Sequence, residues 1–114
     1  MLELTKRKGG FKVDKMRCVK MDTIMKNMFV YALREVFRKE KADGHPVDAT
    51  RELLLKIADQ DEGKLYLTER EHKKILESLN LLRDIYIHNG RYTDGIDSIF
   101  LKVFRAKYRR VGVR

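Results

Sequence analysis

The chain of 114 residues has one cysteine, one proline and no tryptophan. Because Cys18 is the only cysteine, no disulfide can form within the chain, and a zinc site built on paired cysteines is excluded. No stretch approaches the roughly 18 uninterrupted apolar residues of a membrane-spanning helix, and the basic N-terminal stretch lacks the apolar run of a signal peptide. We therefore expect one globular domain in the cytoplasm that folds without metal, disulfide or membrane.

The sequence also lacks recognisable catalytic and metal-binding motifs. The three histidines form no His-x-His or His-Glu-x-x-His pattern, and no nucleophile stands at a recognisable spacing from a base. We therefore expect no enzymatic activity, no catalytic residues, no metal site and no cofactor.

Positive charge, in contrast, is abundant, and its excess lies at the two ends of the chain. The net charge is +9; residues 1–20 carry seven Lys/Arg against two acids, residues 91–114 carry seven against two, and residues 21–90 carry twelve against thirteen. Positive ends on a neutral body favour an anionic partner, either nucleic acid or an acidic protein surface. The alternative is that the charge serves solubility alone.

Apolar residues recur at helical spacing in the first half of the chain. The first predicted helix begins at Asp22 and ends at Gly44 and Pro46, since glycine suits a helix C-terminus and proline prevents continuation. The second is predicted from Asp48, as a capping residue, to about Ala58. The short connection implies that the two helices are antiparallel neighbours.

The second half of the chain predicts another helical hairpin. Thr68 and Glu71 form a capping-box pattern that begins a helix ending near His88, and Thr93 or Asp94 begins the fourth helix. Together the segments predict an all-α four-helix bundle of two tandem hairpins. The predicted inner face of the fourth helix contains Ile96, Ile99, Phe100, Val103 and Phe104.

The two halves also resemble each other. Residues 44–57 are echoed 46 positions later by residues 90–103, with Gly, Asp, Leu and Lys coinciding. This spacing lies within the range of about 40 to 47 residues used by paired-helix repeats. An internal repeat of residues 22–58 and 68–110 and a chance similarity of helix-ending signals both remain open.

Residues 1–21 do not fit the helical pattern and are predicted to form a basic arm or a short β-hairpin, preceding a helical domain at residues 22–114. A hairpin would turn at Gly9 and Gly10, between Leu2, Leu4 and Phe11, Val13. Residues 64–67 provide a further candidate extended segment.

Basic residues near both ends form the candidate nucleic-acid site. On the fourth helix, Lys102, Arg105 and Arg109 are predicted to share the side opposite the apolar face, and Lys107 and Arg110 add to the positive end. Such a face suits phosphate contact, so the leading interpretation is a small non-enzymatic protein that binds nucleic acid mainly through phosphates. At the N-terminal end the candidate residues are Lys6, Arg7 and Lys8.

A stretch of the second half, Leu67-Thr68-Glu69-Arg70-Glu71-His72 with the later Gly90-Arg91-Tyr92-Thr93-Asp94, resembles short uncharacterised helical proteins of low-GC Gram-positive bacteria and their phages. The resemblance covers about half the chain. It implies a cytoplasmic, phage-borne protein that acts by binding host machinery, and it supplies no active residues.

A protein-interaction module is the alternative interpretation. It would be an inhibitor of a host nucleic-acid or defence complex, or a homodimeric helical regulator. Five apolar residues support this interpretation, because they lie off the main apolar stripes of the predicted helices and could form an exposed patch. Such a patch commonly marks an interface. The alternative is that these residues are buried within the monomer. They are Val30, Tyr31, Leu55, Leu81 and Leu101.

Overall fold

A computed structural model of the chain describes residues 14–111. Four helices account for most of this part, so the mostly helical fold is confirmed. The elements in chain order are β1 (Asp14–Met21), α1 (Thr23–Ala42), α2 (Asp48–Asp59), β2 (Gly63–Leu67), α3 (Glu69–His88), α4 (Asp94–Phe104) and β3 (Tyr108–Val111).

The strands form a three-stranded antiparallel sheet in the order β2-β1-β3. The predicted extended segment at residues 64–67 is confirmed as β2. The predicted hairpin turn at Gly9 and Gly10 lies outside the described residues. Within the described part, β1 pairs with strands that are distant in sequence, and local patterns carry no information about such partners.

The core lies between one face of the sheet and the helices. Helix α2 packs on α1, α1 on α3, and α3 on α4. Because side chains alternate along a strand, Val19 and Met21 of β1 share a face with Leu65 and Leu67 of β2, and all four are buried. The opposite face of the sheet therefore carries the intervening residues.

The similarity of the two halves extends to their local structure. In each half a 20-residue helix ends in a turn with a positive-φ glycine, Gly44 at 74° and Gly90 at 70°, followed by a shorter helix. Only glycine adopts this left-handed conformation without a Cβ penalty. In each half the shorter helix then leads to a strand that pairs with β1.

The helix starts confirm the predicted capping box at Thr68 and the predicted start at Asp22, and they correct the predicted cap at Asp48. Asp22 accepts a hydrogen bond from the Met25 N–H at 2.8 Å, and the Thr68 capping box is present. The prediction that Asp48 caps α2 is wrong, because Val47 is the N-cap and Asp48 is already the first helical residue, with its carboxylate 3.1 Å from Arg51. Inside the first turn this carboxylate contributes through the helix dipole and an exposed ion pair, and not as a cap.

The same correction applies to α4. Its N-cap is Thr93, as one of the two predicted alternatives had it, and Asp94 is the first helical residue. The Thr93 hydroxyl donates a hydrogen bond to Asp97 at 2.9 Å, so it bonds with a side chain of the first turn.

We expect Thr68→Ala to lower the free energy of unfolding by about 0.5 to 2 kcal/mol, because it leaves the Glu71 N–H without its partner. Asp48→Ala should change it by less than about 0.5 kcal/mol, since only an exposed ion pair and a dipole interaction are lost. Urea denaturation of both variants measures the difference. Equal losses would contradict this assignment of the caps.

Helix α4 is shorter than predicted. It ends at Phe104 with Arg105 as C-cap, so the predicted helical position of Arg109 is wrong, and Arg109 and Arg110 belong to β3. The carbonyl of Ala106, just beyond the helix, accepts a hydrogen bond from the Arg17 guanidinium at 2.9 Å, and the chain then pairs with β1. Long-range strand pairing therefore overrides the helical pattern at this end.

One residue of the predicted inner face of α4 is also misplaced. Phe104 is 58% exposed, whereas Ile96, Ile99 and Val103 are buried. Its ring stacks on that of Phe100, with centroids 6.1 Å apart. At the last helical turn the core no longer reaches this side of the helix, so spacing alone overestimates burial there.

Candidate nucleic-acid interface

Strands from both basic ends of the chain are neighbours in the sheet. The register places Lys15 of β1 opposite Arg110 of β3, and Met16 opposite Arg109. One antiparallel pairing thus joins strands from the two ends of the chain at which the sequence shows a charge excess.

The face of the sheet opposite the core carries a like-charged pair. Lys20 of β1 lies opposite Lys64 of β2, and Cys18 lies opposite Tyr66. Both lysines are exposed, while Cys18 and Tyr66 are half-buried. Residues directly opposite each other have Cβ atoms about 4.5 to 5.5 Å apart, and like charges in such pairs repel. We call the surface formed by these four residues and Met16 the basic sheet face.

The C-terminal half of α4 continues this positive surface. Lys102 lines a surface cavity together with Lys20, and Lys102 and Arg105 line the adjacent groove. Two acids also line the first cavity, but both accept hydrogen bonds from the start of α1. They are Asp22, bonded to the Met25 N–H, and Glu62, bonded to the Thr23 N–H at 3.0 Å.

The cations of this surface lack acidic partners within the part of the chain that the structure describes. Ion pairs there involve seven other Lys and Arg side chains. The cations at the sheet and α4 therefore form no ion pair with a described residue, although the Asp22 and Glu62 carboxylates lie in the same cavity as Lys20 and Lys102. The unpaired cations are Lys20, Lys64, Lys102, Arg105 and Lys107.

Arg17 also belongs to the basic N-terminal segment, but its side chain connects secondary-structure elements within the fold. Its Nε lies 2.8 Å from a Glu69 carboxylate oxygen, and its guanidinium lies 4.4 Å from the centroid of the Tyr108 ring. The hydrogen bond with Glu69 raises the pKa of Arg17 and lowers the pKa of Glu69. Together with its bond to Ala106, this network joins the sheet to α3 and to the end of α4.

Helix α2 covers the outer edge of β2. The Lys56 ammonium donates to the Tyr66 carbonyl at 2.7 Å and to Glu71 at 2.8 Å, and the Gln60 amide donates to the Lys64 carbonyl at 2.9 Å. These bonds satisfy edge carbonyls that would otherwise be open to another strand. They also hold the backbone of the two β2 residues of the basic sheet face.

The predicted site residues are found in three kinds of place. Lys6, Arg7 and Lys8 lie outside the described residues. Lys102, Arg105 and Lys107 are exposed, and the Lys107 carbonyl accepts the Cys18 N–H at 3.1 Å. Arg109 and Arg110 lie in β3 rather than on a helical face.

Sequence reasoning missed Lys20, Lys64 and Tyr66 as candidate site residues. The alternation of polar and apolar residues at positions 64–67 did indicate a strand with Lys64 and Tyr66 on one face. The pattern could not predict which strand pairs with this one, because β1 is far away in the sequence.

No family model, curated protein or solved structure matches the chain. Within residues 14–111, no three His, Cys, Asp or Glu side chains come together as candidate metal ligands. None of the four described helices is long and apolar enough to cross a membrane.

Proposed function

We propose that this protein binds nucleic acid, chiefly through phosphates, using the basic sheet face and the adjoining end of α4. The supporting observation is the pairing of β1 with β2, which places Lys20 opposite Lys64 on the outer face of the sheet and beside Lys102 of α4, with no ion pair from these three lysines to a described residue. Bringing like charges together costs free energy, and binding of phosphates removes this repulsion. The nucleic acid also releases the counterions that were condensed on those phosphates, which favours binding. The non-enzymatic role and the cytoplasmic location expected from the sequence belong to this proposal.

The chemistry of the cations favours phosphate over base recognition. Three of the exposed residues of this surface are lysines, Lys20, Lys64 and Lys102, whose ammonium groups act as compact point charges. Base recognition in the grooves relies chiefly on bidentate contacts, which the planar groups of Arg, Asn and Gln form with better defined geometry than an ammonium group. We therefore expect affinity that depends strongly on salt and weakly on sequence.

The helices supply a rigid support for this surface, and we propose that they do so as a four-helix bundle of two tandem hairpins. Glu40 of α1 accepts hydrogen bonds from Thr50 of α2 at 2.6 Å and from Lys74 of α3 at 2.9 Å. Burial alone would raise the pKa of Glu40, but these bonds outweigh it and hold the pKa below its usual value. The first hairpin is thereby tied to the first helix of the second.

Titration of the protein with labelled duplex DNA, single-stranded DNA and RNA tests the proposed function. At about 50 mM salt we expect binding, and a plot of log affinity against log salt should have a slope of about −3 or steeper, since each phosphate contact contributes about −0.7 to −0.9. Oligonucleotides of equal length and different sequence should bind similarly. Absence of binding to all three polymers at this salt would overturn the proposal.

The protein-interaction module remains a second candidate because part of its predicted patch is exposed. Tyr31, Leu55 and Leu101 are 44%, 54% and 45% exposed, while Val30 and Leu81 are half-buried. The partner would be an acidic host protein, as for a phage-borne inhibitor, or a second copy of the chain. Light scattering over a range of concentrations tests the homodimer, and a constant monomer mass would exclude it.

A further inference from the structure

Tyr66 occupies a distinctive place on the basic sheet face. Its neighbours along β2, Leu65 and Leu67, are fully buried, so the Tyr66 side chain belongs to the opposite face. Directly across from it lies Cys18, and the next residue pair on the same face is Lys20 and Lys64. An aromatic ring and a small apolar neighbour are thus placed beside two lysines that form no ion pair within the described part of the chain.

We infer that the basic sheet face binds single-stranded nucleic acid in preference to duplex, with an unpaired base stacked on Tyr66. This inference rests on the proposed function and specifies its partner. Surfaces that bind single strands combine aromatic side chains, on which bases stack, with cations that follow the phosphates. In a duplex the bases are already stacked on each other, so a duplex could use only the cations.

The spacing on the sheet suits this arrangement. Lys20 and Lys64 lie two residues along their strands from Cys18 and Tyr66, a distance of about 6.6 Å at the usual rise per residue. The flexible lysine side chains can cover this distance, so a base on the ring and the phosphate beside it can be held together. The hydrogen bond from Lys56 to the Tyr66 carbonyl holds the backbone under the ring.

The decisive comparison is between Tyr66→Leu and Tyr66→Phe. The first variant removes the ring but keeps an apolar side chain, and the second keeps the ring. Fluorescence anisotropy with labelled oligo-dT, oligo-rU and a duplex of equal length measures each affinity, and the oligo-dT and oligo-rU arms distinguish DNA from RNA. We expect the wild-type protein to bind at least one single strand more tightly than the duplex.

Tyr66→Leu should weaken single-strand binding about 5-fold to 100-fold while leaving the salt slope and the duplex affinity unchanged. Tyr66→Phe should bind like the wild type. Circular dichroism and thermal melting establish that the variants are folded. If Tyr66→Leu does not fold, Tyr66→Val, which favours a strand, replaces it in the same comparison.

Duplex binding as tight as single-strand binding, with no effect of Tyr66→Leu, would overturn the inference and leave the proposed function standing. Displacement of bound oligo-dT by poly-glutamate as effectively as by unlabelled oligo-dT would indicate a site for any acidic chain and would overturn both. Failure of the wild-type protein to bind any nucleic acid would instead overturn the proposed function itself.

Discussion

Changing Lys20, Lys64, Lys102 and Arg105 together to glutamine should remove most nucleic-acid binding. If each residue binds one phosphate, and each phosphate contributes about 0.9 to the slope of log affinity against log salt, the four contacts raise the affinity at about 0.1 M salt by up to roughly 4 × 10³-fold relative to 1 M. The slope should become shallower by about one unit for each phosphate that the variant no longer binds. Thermal stability should stay constant or rise slightly, since the repulsion between Lys20 and Lys64 disappears.

A matched variant separates this surface from the overall charge of the protein. Arg34, Lys41, Arg70 and Lys73 are exposed and form no ion pair with described residues, so changing them to glutamine removes the same net charge elsewhere. Arg34 and Lys41 also line a groove between α1 and α2, another place where cations gather. The control variant should retain most of its affinity. Equal losses in the two variants would mean that binding follows net charge and not the proposed surface.

Leu65→Ala should destabilise the protein by about 2 to 5 kcal/mol, the usual cost of emptying a fully buried leucine site. Leu65 is 0% exposed and belongs to the face of β2 that packs into the core. The free energy of unfolding from urea denaturation measures the loss, and an unchanged dependence on urea shows that the denatured state is the same.

The adjacent residue provides the control for this prediction. Lys64 is exposed on the opposite face of the strand and opposite Lys20, so Lys64→Ala should change stability by no more than about 0.5 kcal/mol. A large loss in Lys64→Ala together with a small loss in Leu65→Ala would show that the two faces of β2 are assigned the wrong way round.

The helix boundaries show which features of the fold can be predicted from local sequence patterns. The starts of α1 and α3 follow from Asp22 and Thr68, whose side chains bind backbone N–H groups three residues ahead. A cap acts within one turn, so the sequence contains all that is needed to recognise it. At Asp48 the local pattern misled, because Asp is a preferred capping residue, whereas the structure has Val47 as the N-cap, without a side-chain hydrogen bond, and Asp48 as the first helical residue.

The candidate site was predictable in composition but not in arrangement. The sequence showed an excess of positive charge at both ends and predicted a basic face on the fourth helix at Lys102, Arg105 and Arg109. It contained no indication that Lys20 would face Lys64, or that Arg109 would leave the helix for a strand. Those outcomes depend on contacts between residues tens of positions apart.

The sequence by itself determined four helices, their approximate bounds, the two glycine turns and the charged ends, because helix periodicity, caps and left-handed glycines act over a few residues. Only the tertiary structure decided that β1 joins β2 and β3 and brings both charged ends to one sheet. Strand pairing joins residues that are distant in the chain, and its free energy comes from cross-strand contacts and burial that no local segment contains.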